Sequence, residues 1–275
     1  MHITVEIQTV ICYSQSQEEG DCMKHYDKLL ELGCFSRGDI AAMLGNDDTA
    51  GSMLRSYLEK GYIERIRRDL YAVISLETKQ PVPSRYQIGC AVTKDAVIAN
   101  HSAFEVYGYA NQVFYEVYVS SPERFPDFTY NDVSYHRIIP KPQMDTAVIN
   151  GVRVTSLEQT VVDSIADFEK IAGLEETLRC IQLIPSLNEE KLIQILEERG
   201  NGFLWQKCGF ILEGLNAGLG LSPRFFDACL NHRTGSKRAL VKGHASSLHW
   251  DKTWGLYAPS SLHELIGKGV NQNAV

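Results

Sequence analysis

Residues 26–74 constrain the fold of this chain most, because they carry the signals for three short helices followed by a basic hairpin. Apolar residues at helical spacing lead to a stop signal at Gly33, which predicts a first helix. Ser36 and Asp39 have the spacing of a capping box and predict a second helix, which ends at Gly45. Three helices and a hairpin in this order are typical of a winged helix-turn-helix, so we expect a domain that binds duplex DNA.

The third helix is predicted to begin within residues 46–49, where short oxygen-bearing side chains suit an N-cap, and to end at Gly61. Its apolar positions are Ala50, Leu54, Tyr57 and Leu58. The opposite face carries hydroxyl and guanidinium groups, which can bond base edges and phosphates in a major groove. We predict that this is the recognition helix. Its expected DNA contacts are Thr49, Ser52, Arg55 and Ser56.

A wing is predicted directly after this helix, because two β-rich segments, residues 62–66 and 70–74, flank a short basic turn. Between Ser52 and Arg68 cations outnumber acids, although the whole chain has a net charge of −7. A local positive patch is what docking on a phosphate backbone requires, and the overall charge decides less. The cations expected to contact DNA here are Lys60, Arg65, Arg67 and Arg68.

The chain has 275 residues, of which 44% are hydrophobic, and is long enough for two domains. We predict an extension over residues 1–22, the winged helix-turn-helix over 23–76, a linker over 77–84 and a mixed domain over 85–275. We expect either that Met23 is the true start or that residues 1–22 form a loosely ordered leader, and a strand from His2 to Val10 is the alternative. The predicted fold class is α+β, with a small sheet and a helical C-terminal part following the winged domain.

Two local signals organise the larger domain. Asn150-Gly151 lies between β-rich segments and predicts a hairpin with a type I′ turn. The capping groups of residues 155–158 then predict a helix that runs through Asp167. Further helices are predicted at residues 174–183, 189–199, 204–217 and 224–230, so helices dominate the C-terminal half.

Several classes of protein are disfavoured by composition. The sequence has no run of about 18 apolar residues, so no spanning helix and no membrane partner are predicted. Its apolar beginning lacks Lys and Arg, which argues against a signal peptide. Seven cysteines without a Cys-x-x-Cys pair fit a reducing cytoplasm, where we place the protein. His232, His244 and His249 near Asp251 form a loose group, but we predict neither a metal site nor a cofactor.

Three blocks of sequence, in this order, resemble the AbiEi family of antitoxin regulators: residues 62–71, 99–108 and 151–163. Residues 208–213 are similar to the later helical signature of that family. The resemblance implies a bacterial type IV toxin-antitoxin or phage-defence component, whose winged domain binds inverted repeats in its own promoter. It also implies a C-terminal domain that counters a nucleotidyltransferase toxin, with or without direct contact. Asp69 stands where the family usually has Gly, and Gln159 where Arg is common.

An enzyme in the larger domain is one alternative, because residues suited to acid–base chemistry occur there. Asp163 and Asp167 are one helical turn apart, and His101, Ser102 and Glu105 supply a base, a nucleophile and an acid by type. The sequence has no phosphate-binding Gly-rich loop with Lys, no His-Glu-x-x-His and no nucleophile elbow. We therefore predict no catalytic site.

A protein-interaction scaffold that does not bind DNA is the other alternative. Small helical triads with a hairpin serve that purpose too, and a basic turn is often only a solvated surface. The C-terminal half has three glutamate doublets, at residues 175–176, 189–190 and 197–198. Such doublets usually lie on solvated helix faces, and they offer an acidic surface to a basic partner.

Overall fold

The computed structural model describes residues 25–235, 237–241 and 248–268. The chain divides into two compact units, the first ending at Lys94 and the second beginning at Asp95. Residues 85–94, which the sequence analysis assigns to the second domain, therefore group with the first unit. The possible start at Met23 and the strand from His2 to Val10 lie outside the described residues. Within the described ranges, no helix is long and apolar enough to cross a lipid bilayer.

The first unit contains the predicted winged helix-turn-helix. Its elements are α1 (Tyr26–Leu32), β1 (Cys34–Phe35), α2 (Arg37–Leu44), α3 (Asp47–Glu59), β2 (Ile63–Arg67), β3 (Leu70–Val73) and α4 (Arg85–Ala91). The strands form an antiparallel sheet in the order β1-β3-β2. Three helices followed by a β2–β3 hairpin confirm the fold expected for residues 26–74.

Local hydrogen bonds explain where α2 and α3 begin. The Ser36 hydroxyl accepts the Asp39 backbone N–H at 3.1 Å, and the Asp39 carboxylate accepts the Ser36 backbone N–H at 2.7 Å, so the predicted capping box is present. The Asn46 side chain caps α3 by accepting the Thr49 N–H at 2.9 Å. After α3, Gly61 has a φ of 68°, a left-handed value that glycine adopts without strain and that turns the chain into the wing.

The core of the first unit joins one face of each early helix to the sheet. Its buried residues are Tyr26, Leu29, Phe35, Ile40, Ala50, Leu54, Tyr57, Ile63 and Val73. Three of the four apolar positions predicted for α3 are among them, and Leu58 packs at the margin. The Tyr26 hydroxyl donates to the Ile74 carbonyl at 2.7 Å, which joins the start of α1 to the end of the wing.

The second unit begins with a six-stranded mixed sheet. Its strands are β4 (Val97–Ile98), β5 (Glu116–Ser120), β6 (Phe128–Tyr130), β7 (Val133–Ile138), β8 (Thr146–Ile149) and β9 (Val152–Thr155). They follow the order β6-β7-β5-β4-β9-β8, with parallel pairing between β5 and β7 and between β4 and β9. Asn150 and Gly151 have φ angles of 49° and 78°, so the predicted type I′ turn joins β8 to β9.

Helices surround and follow this sheet, as expected. They are α5 (Asn100–Tyr107), α6 (Leu157–Ala166), a 3₁₀ turn (Phe168–Ile171), α7 (Leu174–Gln182), α8 (Glu189–Arg199), α9 (Gly202–Leu215), α10 (Pro223–Asn231) and α11 (Leu262–Lys268). A continuous core lies between them and includes Trp205 and Trp254, which are 2% and 1% exposed. A small second sheet of β10 (Arg238–Ala239), β12 (Leu256–Ala258) and β11 (His249–Asp251) was not predicted, because strands of two or three residues show too little alternation.

Candidate nucleic-acid interface

The polar face predicted for the recognition helix lies on the surface of α3. Thr49, Ser52, Arg55 and Glu59 are exposed, and Ser56 is half-buried. Residues one and two turns apart on a helix share a face, so these side chains form one strip along α3, opposite Leu54 and Tyr57 in the core. The strip that a DNA groove would have to meet is therefore open.

Ser52 and Arg55 each donate a hydrogen bond within α3. The Ser52 hydroxyl donates to the Asp48 carbonyl at 3.0 Å, and Arg55 Nε donates to the Gly51 carbonyl at 3.2 Å. Each bond reaches one turn back along the same helix. These bonds therefore hold the two side chains over the exposed surface of α3 itself.

An ion pair fixes the turn between α2 and α3. Arg37 is the first residue of α2 and Asp47 the first residue of α3, and Arg37 Nη2 lies 2.6 Å from Asp47 Oδ2. The guanidinium also donates through Nε to Asp47 Oδ1 at 2.9 Å, so the pair is bidentate. Arg37 thereby offsets one of the two acidic charges in the first turn of α3, where Asp48 is exposed.

The wing is a short hairpin with an irregular ladder. Arg65 pairs with Tyr71 and Arg67 pairs with Leu70, so the register shifts by one residue at Ile66. Such a bulge bends the strand and changes which side chains face outward. Arg65 and Arg68 are exposed, and Arg67 is half-buried. Lys60 is exposed where α3 ends, close in sequence to the first strand of the wing.

Asp69 shows how the wing turn forms without the glycine that the family usually has there. Its φ is 56°, in the left-handed region that aspartate tolerates better than most residues. Its carboxylate also accepts the Arg37 backbone N–H at 2.9 Å, which satisfies one of the free donors at the start of α2. Glycine at this position would lack that bond. The contact joins residues that are 32 positions apart, and no local signal reveals it.

His101 and Ser102, considered above as a base and a nucleophile, bond to different partners. The Ser102 hydroxyl donates to the Glu116 carbonyl and accepts the Tyr118 N–H at 3.0 Å, so it joins α5 to β5. His101 faces Glu105 and Glu176 instead. Burial alone would lower the pKa of His101, but the Cys180 thiol and the two glutamates raise it to about 10.

Asp163 and Asp167, the other two acids considered for catalysis, contact different partners. Asp163 accepts a hydrogen bond from Gln159 at 2.8 Å and pairs with Arg199, while Asp167 pairs with Lys170 at 3.1 Å. Burial raises the pKa of Asp163, and the Arg199 charge opposes that rise. Both acids line an open cavity of about 710 Å³. Arg199 of α8 and Gln159 of α6 thus contact the same carboxylate.

The loose histidine group and the glutamate doublets of the second unit lie mostly at the surface. His232 and His249 are exposed, and His244, the third histidine of the loose group, lies outside the described residues. Glu190, Glu197 and Glu198 are exposed as expected of solvated doublets. Glu175 and Glu189 are half-buried, and Glu176 differs most from the expectation, because it is 5% exposed and contacts His101. The expectation of three solvated doublets was wrong at this position, since the fold buries the acid against the His101 imidazole.

Residues 28–74 match the family described as "Transcriptional regulator, AbiEi antitoxin". No curated protein matches the sequence. Among solved structures, the chain is similar to the crystal structure of the RV2827C protein from Mycobacterium tuberculosis, with a TM-score of 0.58 and 16% identity over 85% of this chain and 88% of that chain. That likeness shows a shared fold. The resemblance seen in the sequence is thus confirmed over residues 28–74, the winged helix-turn-helix segment, which match the model of AbiEi antitoxin transcriptional regulators.

Proposed function

We propose that this protein binds inverted repeats in its own promoter through the winged helix and represses its own transcription. The second unit then acts as the antitoxin against a nucleotidyltransferase toxin encoded alongside, in the cytoplasm of a bacterium. This is a type IV toxin-antitoxin or phage-defence role. The family match over residues 28–74 supports the regulatory part, and the resemblance of residues 99–108 and 151–163 supports the antitoxin part.

The observation that carries the DNA-binding proposal is the open polar strip of α3 beside a basic wing. A helix-turn-helix protein places this helix in the major groove, where side chains near its N-terminal end reach base edges. We assign Thr49, Ser52, Arg55 and Ser56 to base or phosphate contacts. Lys60 and the arginines of the wing are then assigned to the phosphate backbone.

The assignment of roles follows from geometry and chemistry. Arg55 is exposed in the middle of α3 and can form the bidentate contact to guanine that is common in specific complexes. Arg65, Arg67 and Arg68 lie on or beside the hairpin tip, where they would neutralise phosphates without reading sequence. Specificity is thus assigned to α3, and much of the salt-dependent affinity to the wing.

The wing is tested by measuring how DNA affinity depends on salt. If its cations contact three or four phosphates, log K should fall with log salt at a slope near −3 to −4 per bound copy, at about 0.9 per phosphate. In the full-length chain, Arg67→Ala/Arg68→Ala should reduce the slope by about 1.8 and weaken binding to all sequences equally. Lys28→Ala/Lys79→Asn is the control, because it removes two exposed cations of the same unit that lie outside α3 and the wing.

Two results would contradict the proposal. A slope unchanged by Arg67→Ala/Arg68→Ala, but reduced by the control, would remove the wing from the interface. Absence of binding to upstream DNA at low salt by a folded chain would favour the scaffold alternative.

The antitoxin part is tested by co-expression with the neighbouring gene, using growth as the readout. We expect the wild-type chain to restore growth. Arg67→Ala/Arg68→Ala should restore it too when expressed from an unrelated promoter, because only the promoter contact is lost. Failure of the wild-type chain to protect would refute the antitoxin role and leave the DNA-binding result unaffected.

A further inference from the structure

Four side chains of complementary chemistry meet in the interior of the second unit. His101 and Glu105 lie one turn apart on α5, and Glu176 and Cys180 lie one turn apart on α7. The side chains of His101 and Glu105 are each 1% exposed, that of Glu176 is 6% exposed, and Cys180 is completely buried. None of these groups has a role in the proposed contacts with DNA.

Two of the distances within this group are close to those of a tetrahedral metal site. His101 Nε2 lies 3.1 Å from Glu176 Oε1, and Cys180 Sγ lies 3.5 Å from the same oxygen. Zinc bonds of about 2.0 Å to nitrogen or oxygen and about 2.3 Å to sulfur give separations of about 3.3 Å and about 3.5 Å at the tetrahedral angle. The three ligand atoms all lie within 4.8 Å of one another.

Glu105 is placed as the partner that a metal-binding histidine ordinarily has. Its Oε1 lies 3.1 Å from His101 Nδ1, but the two atoms lack the geometry of a hydrogen bond, and Nδ1 is buried without a hydrogen-bond partner. A carboxylate that accepted the Nδ1 proton would leave Nε2 free to bind a metal. The Glu105 carboxylate also accepts the Phe114 backbone N–H at 2.9 Å, which fixes its own orientation.

Cys180 belongs to the hydrophobic core and places its sulfur beside the Glu176 carboxylate. A metal bound between these groups would have a thiolate ligand in addition to the imidazole and the carboxylate. Asn111 contacts the Glu176 carboxylate and the Cys180 sulfur, and Asn111 itself is exposed. Asn111 thus connects the buried cluster to the surface of the second unit.

We propose that His101 Nε2, Glu176 and Cys180 bind a zinc ion, with Glu105 as the positioning residue. The donor set of imidazole, carboxylate and thiolate suits this metal. Such an ion would join α5 to α7 across 75 positions of sequence and stabilise the second unit. The proposal is independent of DNA binding and of the antitoxin role.

Cobalt is the probe, because a thiolate bound to Co²⁺ gives a charge-transfer absorption that histidine and carboxylate do not. The full-length chain is stripped with a chelator, titrated with Co²⁺ and then with Zn²⁺. We expect one Co²⁺ per chain with the thiolate band, displaced by Zn²⁺. Cys180→Ser should abolish the band, and Cys229→Ser should keep it, because Cys229 is a buried cysteine of the same unit outside the cluster.

Glu105→Gln keeps all three ligands and tests the positioning role. It should weaken Zn²⁺ binding about 10-fold to 100-fold and retain the thiolate band. If Cys180→Ser fails to fold, a weakened affinity in Glu105→Gln still assigns the ion to this cluster. A folded wild-type chain that gives no thiolate band would overturn the proposal, as would a band that survives Cys180→Ser. Zn²⁺ affinity unchanged in Glu105→Gln would overturn the positioning role.

Discussion

In the first unit, Arg55, Arg65 and Arg68 lie on the surface, whereas in the second unit Lys207 and Glu176 are buried against partners. Lys207 is 7% exposed, and its ammonium donates to the Ile165 and Ala166 carbonyls at the end of α6, at 2.7 and 3.3 Å. A buried charge without its partner is costly, while an exposed one remains hydrated. These exposed arginines of the first unit are thus available to a ligand, whereas Lys207 and Glu176 of the second unit stabilise the fold.

The largest effect is expected at Lys207. Lys207→Ala removes a charged donor and leaves two buried carbonyls without it, so the second unit should lose about 3 kcal/mol of stability. Lys191→Ala is the matched control, because Lys191 pairs with Asp145 at 3.0 Å on the surface and should cost less than about 1 kcal/mol. Urea unfolding followed by tryptophan fluorescence measures both, and equal losses would refute the comparison.

Substitution of Arg55 should weaken DNA binding and leave stability almost unchanged. Arg55→Ala is expected to cost about 1–3 kcal/mol of specific DNA binding if it contacts a guanine. Because its side chain is exposed, stability should change by less than about 0.5 kcal/mol. Gel shifts with operator variants measure the first effect and thermal unfolding the second. An unchanged preference among operator variants would remove Arg55 from base readout.

Asp69 tests a position at which the first unit uses a charge for its own fold. Asp69→Gly keeps the left-handed turn and loses the bond to the Arg37 N–H, so it should cost about 1 kcal/mol. Asp69→Ala loses the bond and also strains the backbone, and should cost about 1 kcal/mol more. Asp69→Asn should be nearly neutral. Circular dichroism during thermal unfolding gives the order, and equal losses in the alanine and glycine variants would show that backbone strain contributes nothing.

Asp48 should give the smallest effect. Its exposed carboxylate lies at the end of α3 that enters a groove, where it would repel phosphates. Asp48→Asn should therefore tighten binding to all sequences by about 0.5 kcal/mol, and less so at high salt. Weaker binding to one operator variant alone would instead indicate that Asp48 accepts a hydrogen bond from a cytosine.

Much of the first unit could be predicted from the sequence, because its signals are local. The capping box of Ser36 and Asp39, the cap at Asn46 and the reversal at Gly61 each depend on residues within a few positions. The Asn150-Gly151 turn in the second unit was predicted for the same reason. Tertiary packing reinforced these signals in each case.

The buried groups could not be predicted, because their partners are distant in sequence. Glu176 looks like half of a solvated doublet until the fold brings it to His101, which is 75 positions away. The bond between the Arg37 N–H and the Asp69 carboxylate spans 32 positions. It gives a structural role to Asp69, which the sequence marked only as a departure from the usual glycine. Side chains that act across the fold carry no periodic signature, and their neighbours appear only once the chain has folded.

All three tryptophans of the chain, Trp205, Trp250 and Trp254, belong to the second unit. Tryptophan fluorescence therefore reports on the second unit, which makes no proposed contact with the operator. If adding operator duplex to the unlabelled protein perturbs that emission, the two halves communicate, and occupancy of the promoter is sensed where the toxin would be countered. A silent spectrum during a saturating titration would mean that repression and protection are independent tasks carried by one polypeptide.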